Sequence, residues 1–191
     1  MMMKAAVQHG SGVEIREVPR PEPGPNDVLT RNHAAALNRA DLGMAAGHAH
    51  GAAGGAGTVL GLEWAGEVVA VGANVTRFRP GDRIMCSGIG GFAEYSVTDA
   101  RRALPLPGAN LGWREAATLS VALRTMHDAL VLNGKLVPGQ SVLVLGASSG
   151  VGIMGLQIAR LMGAGIVLGS STTPARSLVC PNASGSRLPW P

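Results

Sequence analysis

The chain has 191 residues, 46% of them hydrophobic and 3% aromatic, with 28 glycines and a formal net charge of +4. That apolar content excludes wholesale disorder, and the length suits one domain, or one with part of a second. Residues 1–128 hold 12 basic and 12 acidic side chains, whereas residues 129–191 hold Lys135, Arg160, Arg176, Arg187 and no carboxylate, a scatter that argues against a nucleic-acid partner.

Met1 to Lys4 lead directly into the alternating run Ala5–Gln8, without the charged and apolar regions of a signal peptide. No apolar stretch reaches the ~18 residues that a membrane span requires. The expected location is therefore the cytoplasm, with no membrane partner. Cys86 and Cys180 have no companion at metal-ligand spacing and read as reduced thiols.

Up to about Leu106, short strand-like runs alternate with Gly and Pro. KAAVQ, VEIREV, DVLTRNHAAAL, GEVVAVG, DRIMC and AEYSV all suit β structure. PRPEPGPND at 19–27 is a turn between two of them. The spacing predicts a compact barrel or sandwich. HAHGAAGGAG at 48–57 is too poor in apolar side chains to pack a core and reads as a loop.

Beyond LPLPG the period changes. Ala116, Leu119, Leu123, Met126 and Leu130 fall at helical spacing, predicting a helix over Trp113–Asn133 capped by Gly134. Ser141 to Leu145 reads as a buried strand, followed by GASSGVG at 146–152 and an apolar helix. This order suits a dinucleotide's pyrophosphate: small residues admit the backbone closely, and the helix N-terminus offers free N–H groups. Gly146, Ala147, Ser148, Ser149, Gly150, Val151 and Gly152 are the candidate cofactor-binding residues, the plain alternative being a structural turn. Residues 165–171 read as a second strand, parallel to the first through a right-handed crossover. Where binders of NAD carry Asp or Glu, this chain has Ser170, Ser171 and Thr172, with Arg176 nearby. Hydroxyls and a guanidinium favour a 2′-phosphate and hence NADPH, unless these are simply loop residues. SLVCPNASGSRLPWP at 177–191 has neither period and is expected to be a disordered tail.

NHAAALNRADLGMAAG, VLGLEWAGEVVAVGANVTRFRPGDRIM, GGFAEYSV, EAATLSVALRTMHDAL and GQSVLVLGASSGVGIMGLQIARLMGA together resemble the zinc-independent quinone oxidoreductase branch of the medium-chain dehydrogenase/reductase superfamily. The resemblance implies a mixed α/β chain, with a GroES-like β-barrel domain over 1–126 and an incomplete Rossmann domain, a doubly wound parallel sheet, over 127–176. It implies hydride transfer from NADPH to a small-molecule quinone or α,β-unsaturated carbonyl. By the same resemblance Asn38 and Asp41 line the nicotinamide and substrate pocket as the catalytic candidates, and Thr125 lies near the nicotinamide. From the residues alone, Asn38 and Asp41 equally suit a helix cap.

Two departures follow from the comparison with zinc-dependent relatives. Leu62 stands where they carry a histidine and Asn38 near where they carry a cysteine, so no catalytic zinc is expected. His48 and His50 could chelate a metal, but they lie in the glycine-rich loop, whose flexibility weighs against it. Gly43 stands where the quinone reductases often place a tyrosine, which leaves the proton donor unassigned, water being one group able to serve. The pattern stops after STTPAR, resembling a frameshift or premature stop. Later sheet strands and the segment that usually pairs subunits are missing, so a homo-oligomer is doubtful. The alternative function is therefore a non-catalytic fragment of such a reductase, inactive or dependent on a partner chain.

Overall fold

The computed structural model describes residues 1–51, 53–108 and 110–172, together with the backbone of 178–180. The chain divides into two compact units, Met1–Val121 and Ala122–Pro191.

The first unit is antiparallel. β1 (Met2–His9) and β2 (Gly12–Pro19) form a hairpin. β3 (Asp27–Ala36), β4 (Glu63–Val71), β5 (Arg83–Ser87), β6 (Tyr95–Asp99) and β7 (Ala103–Pro105) form a sheet in the order β6-β3-β4-β5-β7. β1 is tied to the segments flanking β4 and β6 by the bridges Val7↔Val59 and Ala5↔Ala93. The sheet therefore curls around one core, made of Val28, Trp64, Val68, Phe78, Ile84, Cys86 and Ala103. Aliphatic side chains carry this core because aromatics are so few, and Trp64 is the one large ring fully buried in it. Its indole Nε1 donates to Thr30 Oγ1 at 2.8 Å, and that hydroxyl donates on to Asn32 Oδ1 at 2.8 Å. A buried ring with a satisfied N–H fixes the register between β3 and β4.

α1 (Arg39–Ala45) follows β3 directly, and its Met44 closes a second apolar cluster with Leu60 and Leu62. The helix expected over Trp113–Asn133 is broken into three pieces. These are α2 (Trp113–Ala117), α3 (Ser120–His127) and a π-helical segment, Asp128–Asn133. α2 ends where Thr118 turns its hydroxyl back onto the Glu115 carbonyl at 2.8 Å. α3 starts where the Val121 N–H is taken by Glu63 Oε2 at 2.8 Å. A carboxylate from β4 thus imposes a break that the helical period of the segment does not show.

The expected cap at Gly134 holds in position but differs in conformation. Gly134 keeps helical dihedrals (φ −73°), and Lys135 adopts the left-handed conformation at φ 49°. Glycine is needed at 134 for space, since a Cβ there would lie 2.7 Å from the Ala129 carbonyl oxygen. Replacing Lys135 by Gly is expected to raise stability. It relieves about 1–2 kcal/mol of left-handed strain against a smaller gain in unfolded-state entropy. A thermal midpoint 1–3 °C higher, roughly the shift for about 0.5–1 kcal/mol, is the expected reading.

The second unit holds β8 (Ser141–Leu145), α4 (Gly150–Leu161) and β9 (Ile166–Ser170), with β8 and β9 parallel. Val144, Ala147, Leu156, Ala159, Ala164 and Val167 form its core. β10 (Leu178–Cys180) pairs antiparallel with β9, a strand where the sequence shows no strand period. The remainder of the 177–191 segment lies outside the described residues.

Candidate functional site

In the second unit the turn after β8 is built by its small residues. Gly146 takes φ +67°, which a side chain would resist. Ala147 is buried and its N–H donates to the Ser170 carbonyl at 2.8 Å, pinning the turn to the end of β9. Ser149 is the N-cap of α4: its Oγ accepts from Gly152 N at 3.0 Å and donates to Gly146 O at 2.8 Å. The two glycines of the helix start have different duties. A Cβ on Gly152 would run into the Gly146 carbonyl and lie 2.7 Å from Ala147 Cα, whereas a Cβ on Gly150 would meet nothing within 4 Å. Gly152 seats the helix on the turn, and Gly150 leaves open space before the helix N-terminus. First-turn N–H groups of a helix lack internal partners, so this mouth suits an anion.

Ser148 and Ser171 lie with their hydroxyl oxygens 3.1 Å apart, joining the turn to the chain just past β9. Thr172 is exposed beside them. The structure thus gathers Gly146 to Gly152, Ser170 and Ser171 in one place. Val151 is half-buried in the first turn of α4. Thr125 is exposed on α3, next to Met126, whose side chain packs over Gly155 of α4. Arg176 lies outside the described residues. The cradle fits a dinucleotide phosphate: a Cβ on Gly150 would meet open space, and residues 129–191 include no carboxylate.

In the first unit Asn38 and Asp41 meet at the start of α1. Asp41 Oδ2 accepts from the Asn38 backbone N–H at 2.7 Å, the reciprocal half of a capping box. The cap that the residues suggested is therefore present. Asp41 is 5% exposed, and its Oδ1 is buried with no partner among the described residues. Burial pushes the Asp41 carboxyl above its ordinary range, with the Asn38 N–H and the charge of His50 pulling weakly the other way.

The sign of the resulting pH effect follows from that direction. The folded chain holds the Asp41 proton more tightly than the unfolded chain does. The contribution is present below the ordinary value of 3.8 and is lost as pH rises through the higher folded value. Asp41→Asn removes the titration, so the melting temperature of the variant relative to the parent is expected to climb from pH 4 to pH 7. Thermal unfolding of both proteins across that range checks it; a constant difference contradicts it.

The amide nitrogen of Asn38 reaches β4. It donates to Glu63 Oε1 at 3.0 Å, and Glu63 Oε2 accepts from Val121 N. Glu63 is only 3% exposed. Glu63 is not among the residues expected from the sequence. The available signal was a carboxylate set between Leu62 and Trp64 in an apolar strand, a position it cannot occupy without donors. Leu62 packs with Met44 and Leu60, and Gly43 faces open space. Tyr95 lies under the Arg20 guanidinium, 4.2 Å from the ring centre, which is a packing role. Burial pushes the Cys86 thiol far up, leaving it an unreactive core side chain. Among the described residues no three His, Cys, Asp or Glu side chains converge. No helix among them is long and apolar enough to cross a membrane.

Comparison with known proteins gives the same layout. The alcohol dehydrogenase GroES-like domain matches residues 24–108. The trans-enoyl reductase RAP2 of Pyricularia oryzae is 37% identical over 80% of this chain and 47% of its own length. The quinone oxidoreductase of Homo sapiens is 35% identical over 65% of this chain and 38% of its own. An alcohol dehydrogenase superfamily protein from Novosphingobium aromaticivorans superposes with a TM-score of 0.80 at 35% identity, covering 90% of this chain and 54% of that one. The chain spans about half the length, or less, of these relatives.

Proposed function

Because the chain belongs to the medium-chain dehydrogenase/reductase superfamily, we propose that it serves a zinc-independent, NADPH-dependent reduction of a quinone or an α,β-unsaturated carbonyl. The observation that carries this reading is the phosphate cradle. The open space at Gly150, the capped helix start and the paired hydroxyls of Ser148 and Ser171 lie within residues 129–191, a stretch without a carboxylate. Ser170, Ser171 and Thr172, with Arg176, offer the 2′-phosphate partners that an acidic residue would repel. The enoyl reductase and quinone oxidoreductase among the relatives support the acceptor class.

When bound, NADPH supplies the hydride from the nicotinamide ring. The chain's own residues bind and orient. Gly146 to Gly152 hold the phosphates, and Thr125 flanks the nicotinamide. Asn38 and Asp41 line the acceptor pocket. Gly43 leaves room for water, which delivers the proton that completes reduction. Loss of NADPH absorbance with a simple quinone or enone as acceptor tests the reading; a folded protein that binds NADPH yet reduces neither would refute it.

One observation favours a second reading, that this chain alone is non-catalytic and needs further polypeptide. α4 covers only one face of the β8–β9 sheet, and Leu143 and Leu145 on the other are 60% and 75% exposed. Parallel sheets are ordinarily covered on both faces. NADPH binding without turnover is the result this second reading expects.

A further inference from the structure

We propose that the free edge of β2 pairs antiparallel with the same edge of a second copy of this chain, centred on Ile15. β2 is paired with β1 along its full length, and its other side meets no strand among the described residues. The bonding of β1 shows which groups lie on that free side. Ala6 N donates to Phe92 O, Gln8 N to Thr58 O, and Glu94 N to Lys4 O. The even residues of β1 thus turn their backbone groups away from β2, and the odd ones face it. Through the register Val7↔Glu14, Ala5↔Arg16 and Met3↔Val18, the residues Glu14, Arg16 and Val18 bond back to β1. Val13, Ile15 and Glu17 are left with N–H and C=O groups directed outward. Val13 and Ile15 are also 51% and 67% exposed. Two devices that ordinarily blunt such an edge are missing: the register runs without a bulge, and no proline precedes Pro19.

The charges choose the partner and the register. Within one copy Arg16 Nη2 lies 2.7 Å from Glu14 Oε2, so the two side chains share a face of the strand. With Ile15 opposite the partner's Ile15, Glu14 stands opposite the partner's Arg16, and Arg16 opposite the partner's Glu14. Val13 then meets the partner's Glu17. Every outward-facing residue lies against another, so the Ile15 pair and the two Val13–Glu17 pairs exchange six backbone hydrogen bonds. Glu14 and Arg16 fall at the positions between, where side chains across an antiparallel pair approach most closely. A slip of one residue sets outward-facing groups against inward-facing ones. A slip of two brings Glu14 onto the partner's Glu14, or Arg16 onto the partner's Arg16, and like charges directly opposite repel. The segment VEIREV is therefore self-complementary about its isoleucine, as a two-fold interface requires. This contact uses only the first unit, needs no other pairing segment, and is independent of the reductase reading.

Sedimentation velocity of the full chain over a concentration series tests it. The parent is expected to pass from monomer to dimer as concentration rises. Ile15→Pro removes the outward N–H at the centre of the edge and spares the bonds to β1, so a folded monomer is expected throughout. Glu14→Arg and Arg16→Glu each set two like-charge pairs across the axis. Each is expected to raise the dimer dissociation constant roughly tenfold or more. Mixed in equal amounts, these two variants regain opposite charges at both positions, and a heterodimer is expected to form. Should Ile15→Pro unfold the hairpin, as circular dichroism would show, the mixture decides alone. A parent that stays monomeric would overturn the proposal, as would charge variants that stay monomeric when mixed. A dimer that survives Ile15→Pro or both charge reversals would also overturn it, since the contact would then lie elsewhere, as on the exposed face of Leu143 and Leu145.

Discussion

Gly152→Ala is expected to weaken binding of NADPH at least tenfold and to lower the melting temperature of the second unit. A Cβ at 152 would strike the Gly146 carbonyl and press on Ala147 Cα at 2.7 Å. Both contacts are backbone, so no side chain can swing aside to relieve them. Overpacking of this kind costs about 1–3 kcal/mol. The strain falls on three bonds that define the cradle: Ser149 Oγ to Gly152 N, Ser149 Oγ to Gly146 O, and Ala147 N to Ser170 O. Gly150→Ala is the control, since its Cβ meets nothing within 4 Å of protein. That variant is expected to keep the stability of the parent and to lose affinity alone, because the methyl occupies the space kept for the ligand. Cofactor titration and thermal melts of both variants separate seating the helix from admitting the phosphate. Equal stability losses in the two would contradict the division of labour.

Trp64→Ala is expected to be the most destabilising single change in the first unit, by about 3–5 kcal/mol. The ring is fully buried, and glycines wall it in: a Cβ on Gly88 would lie 3.0 Å from Trp64 Cη2, and one on Gly91 2.9 Å from Cε3. Glycine neighbours cannot reach inward to fill the hole, so the cavity persists. The change also removes the N–H that Thr30 Oγ1 accepts, within a network continuing through Asn32 to Ser96 Oγ at 2.6 Å. A loss of this size approaches the whole stability of a small domain. The graded variant is Trp64→Phe, which keeps most of the apolar contact and gives up the hydrogen bond. It is expected to cost about 1–2 kcal/mol. Denaturant titration followed by far-UV circular dichroism measures both. A Trp64→Ala chain as stable as the parent would mean that the core lies elsewhere.

Much of the architecture was legible because it rests on local chemistry. The alternating runs from KAAVQ to AEYSV became strands punctuated by Gly and Pro; Val28, Trp64, Val68, Ile84 and Cys86 face one core, while Val13 and Ile15 of β2 stay exposed. The strand, glycine turn and helix from Ser141 onward were legible for a sharper reason: glycine, serine and alanine at fixed offsets are what the tight turn tolerates. What escaped the sequence depends on contacts made at a distance. The break between α2 and α3 is imposed by Glu63, 58 residues upstream of Val121, and nothing in the period of EAATLSVALRTMHDAL records it. The π-helical turn before Gly134 and the left-handed Lys135 that follows it are likewise unrecorded in the helical period of that segment. The short strand Leu178–Cys180 takes its partner from β9, not from any alternation of its own. At the start of α1 the cap formed by Asn38 and Asp41 was legible, but Glu63, which accepts from the Asn38 amide, was not, because a buried acid is defined by its donors and these come from two other elements.

The central claim is that the turn after β8 takes the phosphates of NADPH, and titration of the folded chain with NADPH, with NADH as control, tests it most directly. Saturable binding with NADPH preferred by roughly tenfold or more is expected, the discrimination that charge-assisted bonds to a 2′-phosphate supply. Equal or tighter binding of NADH, or no saturable binding of either by a folded sample, would contradict it.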